Sequence, residues 1–276
     1  MTADVLIATD LDRTLIYSAN AAGEPLPGEP PWVVVEHLDG RAISYVSALA
    51  ASRYETLADA WCVVPVTTRT PAQLARIRLP GPAPRYAVAA NGGVLLEEGK
   101  PDHLWAETVA AAMAKVAAVD EAHAALARAC SADLSARLYT VPGLFCYAVV
   151  DRPAFSEDRL AELRAWGRVT GWGVSLQGRK LYLVPTVLTK SAAVAEVARR
   201  ARARCVLAAG DSLLDIDLLE FADAAVRPGH GELAERSWSR PHVTTLESQG
   251  IRAGEDVLAW FAEQAGERRA GMVSPL

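Results

Sequence analysis

The stretch IATDLDRTLIYS, Ile7–Ser18, ends an apolar run with two carboxylates two residues apart, Asp10 and Asp12. The run Val5–Thr9 reads as continuous rather than alternating, which predicts a strand covered on both faces, as in a parallel sheet. An Asp pair after a strand commonly forms an Asx turn or caps a helix. In an open α/β sheet, however, the carboxyl ends of the strands are where ligands bind. The reading of this pair therefore depends on what the other strand ends carry.

Further buried-strand patterns fall at Cys62–Thr67, Tyr86–Ala90, Cys205–Ala209 and Ala224–Val226, and helical patterns at Ser44–Ala60, Lys190–Ala203 and Leu213–Phe221. This alternation predicts an α/β fold with a doubly wound, Rossmann-like parallel sheet. The middle of the chain has another rhythm. A helical Ala-rich stretch, Ala106–Ala129, precedes strands at Ala136–Val141 and Leu144–Val150 around a Pro142-Gly143 turn. A helix at Ser156–Gly167 then leads into strands Arg168–Leu176 and Arg179–Val184, joined at Gln177-Gly178. The order helix, strand, strand, given twice, predicts an inserted α+β domain over 94–185, with 1–93 and 186–276 forming the core. A Gly- and Pro-rich segment, Asn20–Trp32, leads into VVVEHLDGRAISYV, Val33–Val46, which reads as a hairpin about Asp39-Gly40, overlaps the start of the Ser44–Ala60 pattern, and would project beside the first strand's carboxyl end.

Composition narrows the function classes. With 51% apolar and 22% charged residues, the 276-residue chain is globular in type and long enough for two domains. Its net charge of −5, with Lys and Arg scattered, gives no footprint for nucleic acid. No apolar run approaches the roughly 18 residues of a membrane span, and no secretory signal pattern is present, so a cytoplasmic protein, monomer or homodimer, is expected. Cys62, Cys130, Cys146 and Cys205 lie far apart and read as reduced core residues, and the five histidines lack zinc-site spacing.

The strand ends carry a consistent set of polar groups. The second strand ends in Thr67-Thr68-Arg69, the Cys205–Ala209 strand in Gly210-Asp211-Ser212 with Asp215 close behind, and Lys190 opens the helix before it. Asp10 and Asp211 could chelate one hard cation through oxygen, and Mg2+ suits that donor set. Lys190 would keep the carboxylates ionised, and Thr67 could hydrogen-bond a phosphoryl oxygen. Residues i and i+2 beyond a strand can share one small volume, one as nucleophile and the other as proton donor and acceptor.

Together, Asp10-Leu11-Asp12-Arg13-Thr14, Thr67, Lys190 and Gly210-Asp211…Asp215 resemble, in order, the four motifs of the haloacid dehalogenase (HAD) superfamily. The inserted repeat, with ANGG at Ala90–Gly93 and GDSLLD at Gly210–Asp215, is similar to the Cof-type and sucrose-phosphate-phosphatase-like branch with a large α/β cap. The resemblance implies Asp10 as the nucleophile that forms an aspartyl-phosphate and Asp12 as general acid/base. It implies Mg2+ held by Asp10, Asp211 and the Asp12 main-chain carbonyl, with Asp215 supporting its water shell and Thr67 and Lys190 holding the phosphoryl group. Asn91, Gly92 and Thr68 are implied to face the substrate, a small phosphate ester such as a sugar or polyol phosphate. Arg69 is grouped with them as the neighbouring cation.

Two positions depart from the family pattern. Arg13 stands where Gly is usual, putting a long cation at the site entrance, and Leu214 replaces a common Asn, removing one hydrogen bond from the metal's surroundings. In relatives the cap closes over the crevice, so Gln177, Arg179 and Lys180, in a cap turn, are candidate contacts for hydroxyls and anions. Trp166 and Trp172 read as cap core. The activity this implies is Mg2+-dependent phosphomonoester hydrolysis, with phosphoryl transfer to an acceptor hydroxyl or a non-catalytic phospho-acceptor module as alternatives.

Overall fold

In the computed structural model, the described residues are 4–131, 135–153 and 155–273. They separate into two compact units, one formed by the residues up to Pro101 and from Lys190 onward, the other by Asp102–Thr189. The boundaries lie beyond the expected 94 and 185. Val94–Glu97 pairs antiparallel with Tyr86–Ala89, and Lys100–Pro101 pairs in turn with Val94–Glu97, so these residues stay with the first unit.

Among the described residues the first unit holds a five-stranded parallel sheet. Its spatial order is Val243–Thr245, Ala224–Arg227, Cys205–Ala209, Val5–Thr9 and Cys62–Pro65. Val5–Thr9 thus lies between the strands that lead to Asp211 and to Thr67. Every residue of this strand is buried, which is why its pattern does not alternate. Val5, Ile7, Leu207 and Val226 pack on one face with Tyr54, Leu57, Val257 and Phe261, from the helices Ala48–Ala60 and Ile251–Val273.

Several local expectations change. Tyr86–Ala89 is not a full member of the parallel sheet, since its one parallel contact there is an isolated bridge from Val88 to Val66. The helix expected from Ser44 begins at Ala48, because Ser47 caps it by accepting from the Ala50 amide and Ser44 lies within the strand Arg41–Val46. The hairpin Val33–Leu38 with Arg41–Val46 turns at Asp39 and Gly40, both left-handed, as a primed turn requires.

The second unit has an antiparallel sheet in the order Trp172–Gln177, Lys180–Pro185, Phe145–Val149, Arg137–Val141. The stretch Ala106–Ala129 forms two helices rather than one, His103–Met113 and Val119–Ala129. Between them the Ala117 amide donates to the Thr170 carbonyl and the Ala117 carbonyl accepts from Trp172 Nε1, so tertiary partners interrupt a sequence with no breaker of its own. The helix expected to stop at Gly167 runs over Glu157–Thr170 and ends on Gly171, which takes the left-handed cap conformation at φ 80°. Gly167 serves close packing instead, since a Cβ there would lie 2.2 Å from the Trp172 carbonyl oxygen. Trp172 is buried in this unit's core, as expected, whereas Trp166, whose ring lies beside it, is only half-buried.

Candidate active site

The main-chain ladder sets the site's spacing. The Asp10 amide donates to the Ala209 carbonyl, and the Val66 amide to the Thr9 carbonyl, so three neighbouring strands end level and present Asp10, Gly210-Asp211 and Thr67 side by side. Lys190, the first residue of the helix Lys190–Ala201, is 1% exposed and reaches the same point. Its Nζ donates to Asp10 Oδ1 at 2.7 Å and to Asp215 Oδ1 at 2.5 Å. Asp217 holds this helix end by accepting from the Ser191 amide.

Asp10, Asp211 and Asp215 are all buried, each with a carboxylate oxygen within 4.8 Å of the others. Burial raises the Asp10 pKa to about 7, with Lys190 opposing the rise and Asp215 and Asp12 adding to it. Burial likewise lifts Asp211 well above the carboxylate range, reinforced by Asp10 and Asp215. For Lys190, burial works against the ammonium but the charges of Asp10 and Asp215 outweigh it, so its pKa is raised. The donors are oxygens, crowded and under-compensated, which is the chemistry that fits a hard divalent cation. Asp215 differs from the other two, because its Oδ2 already accepts from the Asp211 amide, the Ser212 amide and Ser212 Oγ. That carboxylate is satisfied without the Asn that Leu214 replaces. Gly210 leaves room for it, since a Cβ there would lie 2.4 Å from the Asp215 Cβ.

Thr67 is fully buried; its carbonyl accepts from the Asn91 amide and its Oγ1 from the Arg69 amide, while the Ala90 amide donates to the Arg69 carbonyl. Ala90, Asn91 and Gly92 are all left-handed, at φ 51°, 55° and 94°. Two consecutive non-glycine residues in that region carry strain of the kind that clusters at functional loops. Thr68 follows on the same loop, half-buried. Gln177, Arg179 and Lys180 belong to the second unit: Gln177 pairs with Lys180 across the turn, its Nε2 donates to Ser175 Oγ, and Arg179 Nε donates to the Val150 carbonyl.

Arg13 takes φ 64°, which explains why glycine suits this position. Its Nε lies 3.8 Å from Asp211 Oδ2. Its carbonyl accepts from His230 Nε2 at 2.7 Å, while His230 Nδ1 accepts from the Gly250 amide, an arrangement that defines a neutral imidazole; burial depresses its pKa. No spacing in the sequence singles out His230 for this support.

Arg69 is the larger surprise. Its Nε and Nη2 form a two-pronged bond to Asp12 at 2.7 Å each, and its Nη1 donates to Glu36 at 2.9 Å. Burial opposes its charge, but the bonds and charges of Asp12 and Glu36 hold its pKa above the ordinary arginine value. Glu36 was missed from sequence because it sits in a strand pattern distant from every motif.

No protein-family model and no curated protein matches this sequence. Solved structures do match. The chain is similar to the sucrose-phosphatase of Synechocystis sp. PCC6803, solved with sucrose and phosphate, at 16% identity and TM-score 0.64, covering 95% of this chain and 99% of that one. It is similar to the C-terminal domain of trehalose-6-phosphate phosphatase from C. albicans at 11% identity and TM-score 0.61, covering 95% and 93%. A HAD subclass IIB sugar phosphatase matches at 14% identity and TM-score 0.60, covering 95% and 98%. The chain therefore shares its fold with these sugar-phosphate phosphatases. Among the described residues no helix is long and apolar enough to cross a membrane.

Proposed function

We propose that the chain is a Mg2+-dependent phosphomonoester hydrolase acting on a small polar phosphate, such as a sugar or polyol phosphate, through an aspartyl-phosphate. The observation that carries this reading is the buried set of Asp10, Asp211 and Asp215 around Lys190 at the ends of adjacent parallel strands. The sugar phosphates named for similar folds support the substrate class.

Asp10, Asp211 and the Asp12 carbonyl would hold the cation, and Asp215 would order its water shell. The ion would supply positive charge to the phosphoryl oxygens and to the crowded carboxylates. Lys190 fixes Asp10 through Oδ1, which supports Oδ2 as the attacking atom. As its bond to phosphorus forms, the ester P–O bond breaks and Asp12 gives its proton to the departing alkoxide oxygen. Asp12, now ionised, takes a proton from water as that water's oxygen attacks the Asp10-bound phosphorus. The P–O bond to Asp10 breaks, releasing inorganic phosphate and restoring Asp10. Thr67 and Lys190 hold the phosphoryl oxygens, with Thr68, Asn91 and Gly92 lining the substrate side.

Phosphate release from p-nitrophenyl phosphate and a panel of sugar phosphates, with Mg2+ or with EDTA, tests the proposal. Turnover that needs Mg2+ and prefers some of the sugar phosphates is expected; equal rates in Mg2+ and EDTA, or none in either, would contradict it.

A further inference from the structure

The hairpin strand Val33–Leu38 breaks its own alternation. Period-two geometry sends neighbouring side chains to opposite faces, yet Val35 and Glu36 are both buried, at 1% and 1%. A register irregularity about Glu36 resolves this, with Glu36 paired to Ser44 and the pairing shifted on both sides. Bulges of this kind re-aim a side chain, and here the re-aimed side chain is a carboxylate.

Burying that carboxylate is costly unless it is paired and hydrogen-bonded. Its Oε1 accepts from Arg69 Nη1 at 2.9 Å and from Arg76 Nε at 3.0 Å, and its Oε2 accepts from Ser44 Oγ at 2.7 Å. Arg69 consequently has one edge committed to Glu36, and the fork of Nε and Nη2 is turned to Asp12. In the resting site the charges balance, Arg69 and Arg76 against Glu36 and Asp12, before Asp12 takes up the proton that it gives. Arg69 is 14% exposed and Arg76 32%, so these bonds are partly shielded from water.

We propose that Glu36 is a positioning residue for Asp12: carried by the hairpin and acting through Arg69, it fixes where the carboxylate that moves the proton stands. The proposal rests on the reading of Asp12 as proton donor. A bidentate bond fixes both distance and plane, and small displacements of a proton-transfer group cost much rate. Without Glu36 the Arg69 guanidinium can turn, and Asp12 turns with it.

The test is Glu36→Gln, which keeps shape but removes charge, assayed in the first chemical step with two esters. p-Nitrophenolate departs unprotonated, so the burst rate from p-nitrophenyl phosphate should stay within about threefold of wild type. An alkyl or sugar phosphate needs the proton, and its first-step rate should fall about tenfold or more. In the double variant with Arg69→Ala, the loss should not exceed that of Arg69→Ala alone, since Glu36 acts through Arg69. Ser44→Ala, which removes one Glu36 bond and leaves its charge, should give the same selectivity at smaller size and serves if Glu36→Gln does not fold. Equal losses on both esters, or losses that multiply in the double variant, would overturn the proposal while leaving the hydrolase reading intact. A wild-type protein with no turnover would overturn both.

Discussion

Asp10 and Asp12 stand two residues apart after one strand, yet Asp10 is buried against the Lys190 ammonium and two further carboxylates, while Asp12 lies half-exposed in the fork of Arg69. The Asp10 surroundings come from strand ends and one helix start, fixed by the sheet itself. The Asp12 surroundings come from a loop cation and an inserted hairpin. The difference fits a division of labour: a nucleophile needs a fixed, desolvated position, whereas a group that gives and takes protons needs access to the leaving oxygen and to water.

The sharpest break in this comparison is Asp10→Asn. Turnover should fall by about a thousandfold or more with the fold retained, measured as phosphate release alongside circular dichroism. Near-normal activity would assign the nucleophile elsewhere. Lys190→Met comes next and acts on stability as well as rate. It strands Asp10 and Asp215 as buried charges, so urea unfolding should register a loss of about 3–5 kcal/mol; a loss under about 1 kcal/mol would mean that Lys190 does not compensate them.

The pH dependence follows from the raised carboxyl groups. Asp10, near 3.8 in the unfolded chain and about 7 when folded, binds its proton more tightly in the folded state. Its contribution to stability is therefore full below pH 3.8 and lost as pH rises toward 7 and beyond, and Asp211 acts in the same direction. In EDTA the melting temperature should decline from pH 5 to pH 8, and added Mg2+ should raise it more at pH 8 than at pH 5. A flat profile, or equal shifts, would contradict the crowded-carboxylate account. The smallest effect is expected of Arg13→Gly. It frees a left-handed backbone position, a gain of about 0.5–1 kcal/mol, and removes the cation beside Asp211, so calorimetry should show Mg2+ binding about threefold tighter.

The residues that mark the fold and the Asp10 cluster were legible because they obey local rules. Continuous apolar runs identify parallel strands, and polar residues at their carboxyl ends meet in one crevice whatever the intervening sequence. Lys190, 180 residues from Asp10 in sequence, could be assigned to it from its place at a helix start. Glu36 could not. Its burial depends on a local irregularity in the hairpin, and its partners Arg69 and Arg76 are 33 and 40 residues away. The split of Ala106–Ala129 was hidden for a related reason, because the break is made by Thr170 and Trp172 rather than by any residue within it.

The central claim is that Asp10 carries the phosphoryl group while Asp12 handles the proton. It is tested most directly in Asp12→Asn, mixed with p-nitrophenyl phosphate and Mg2+, quenched in acid and digested for mass spectrometry. The peptide containing Asp10 should gain the mass of one phosphoryl group, HPO3, because its formation from this ester needs no proton donor and its hydrolysis is slowed. Release of p-nitrophenol with no added mass on that peptide, or the mass on another residue, would contradict the account.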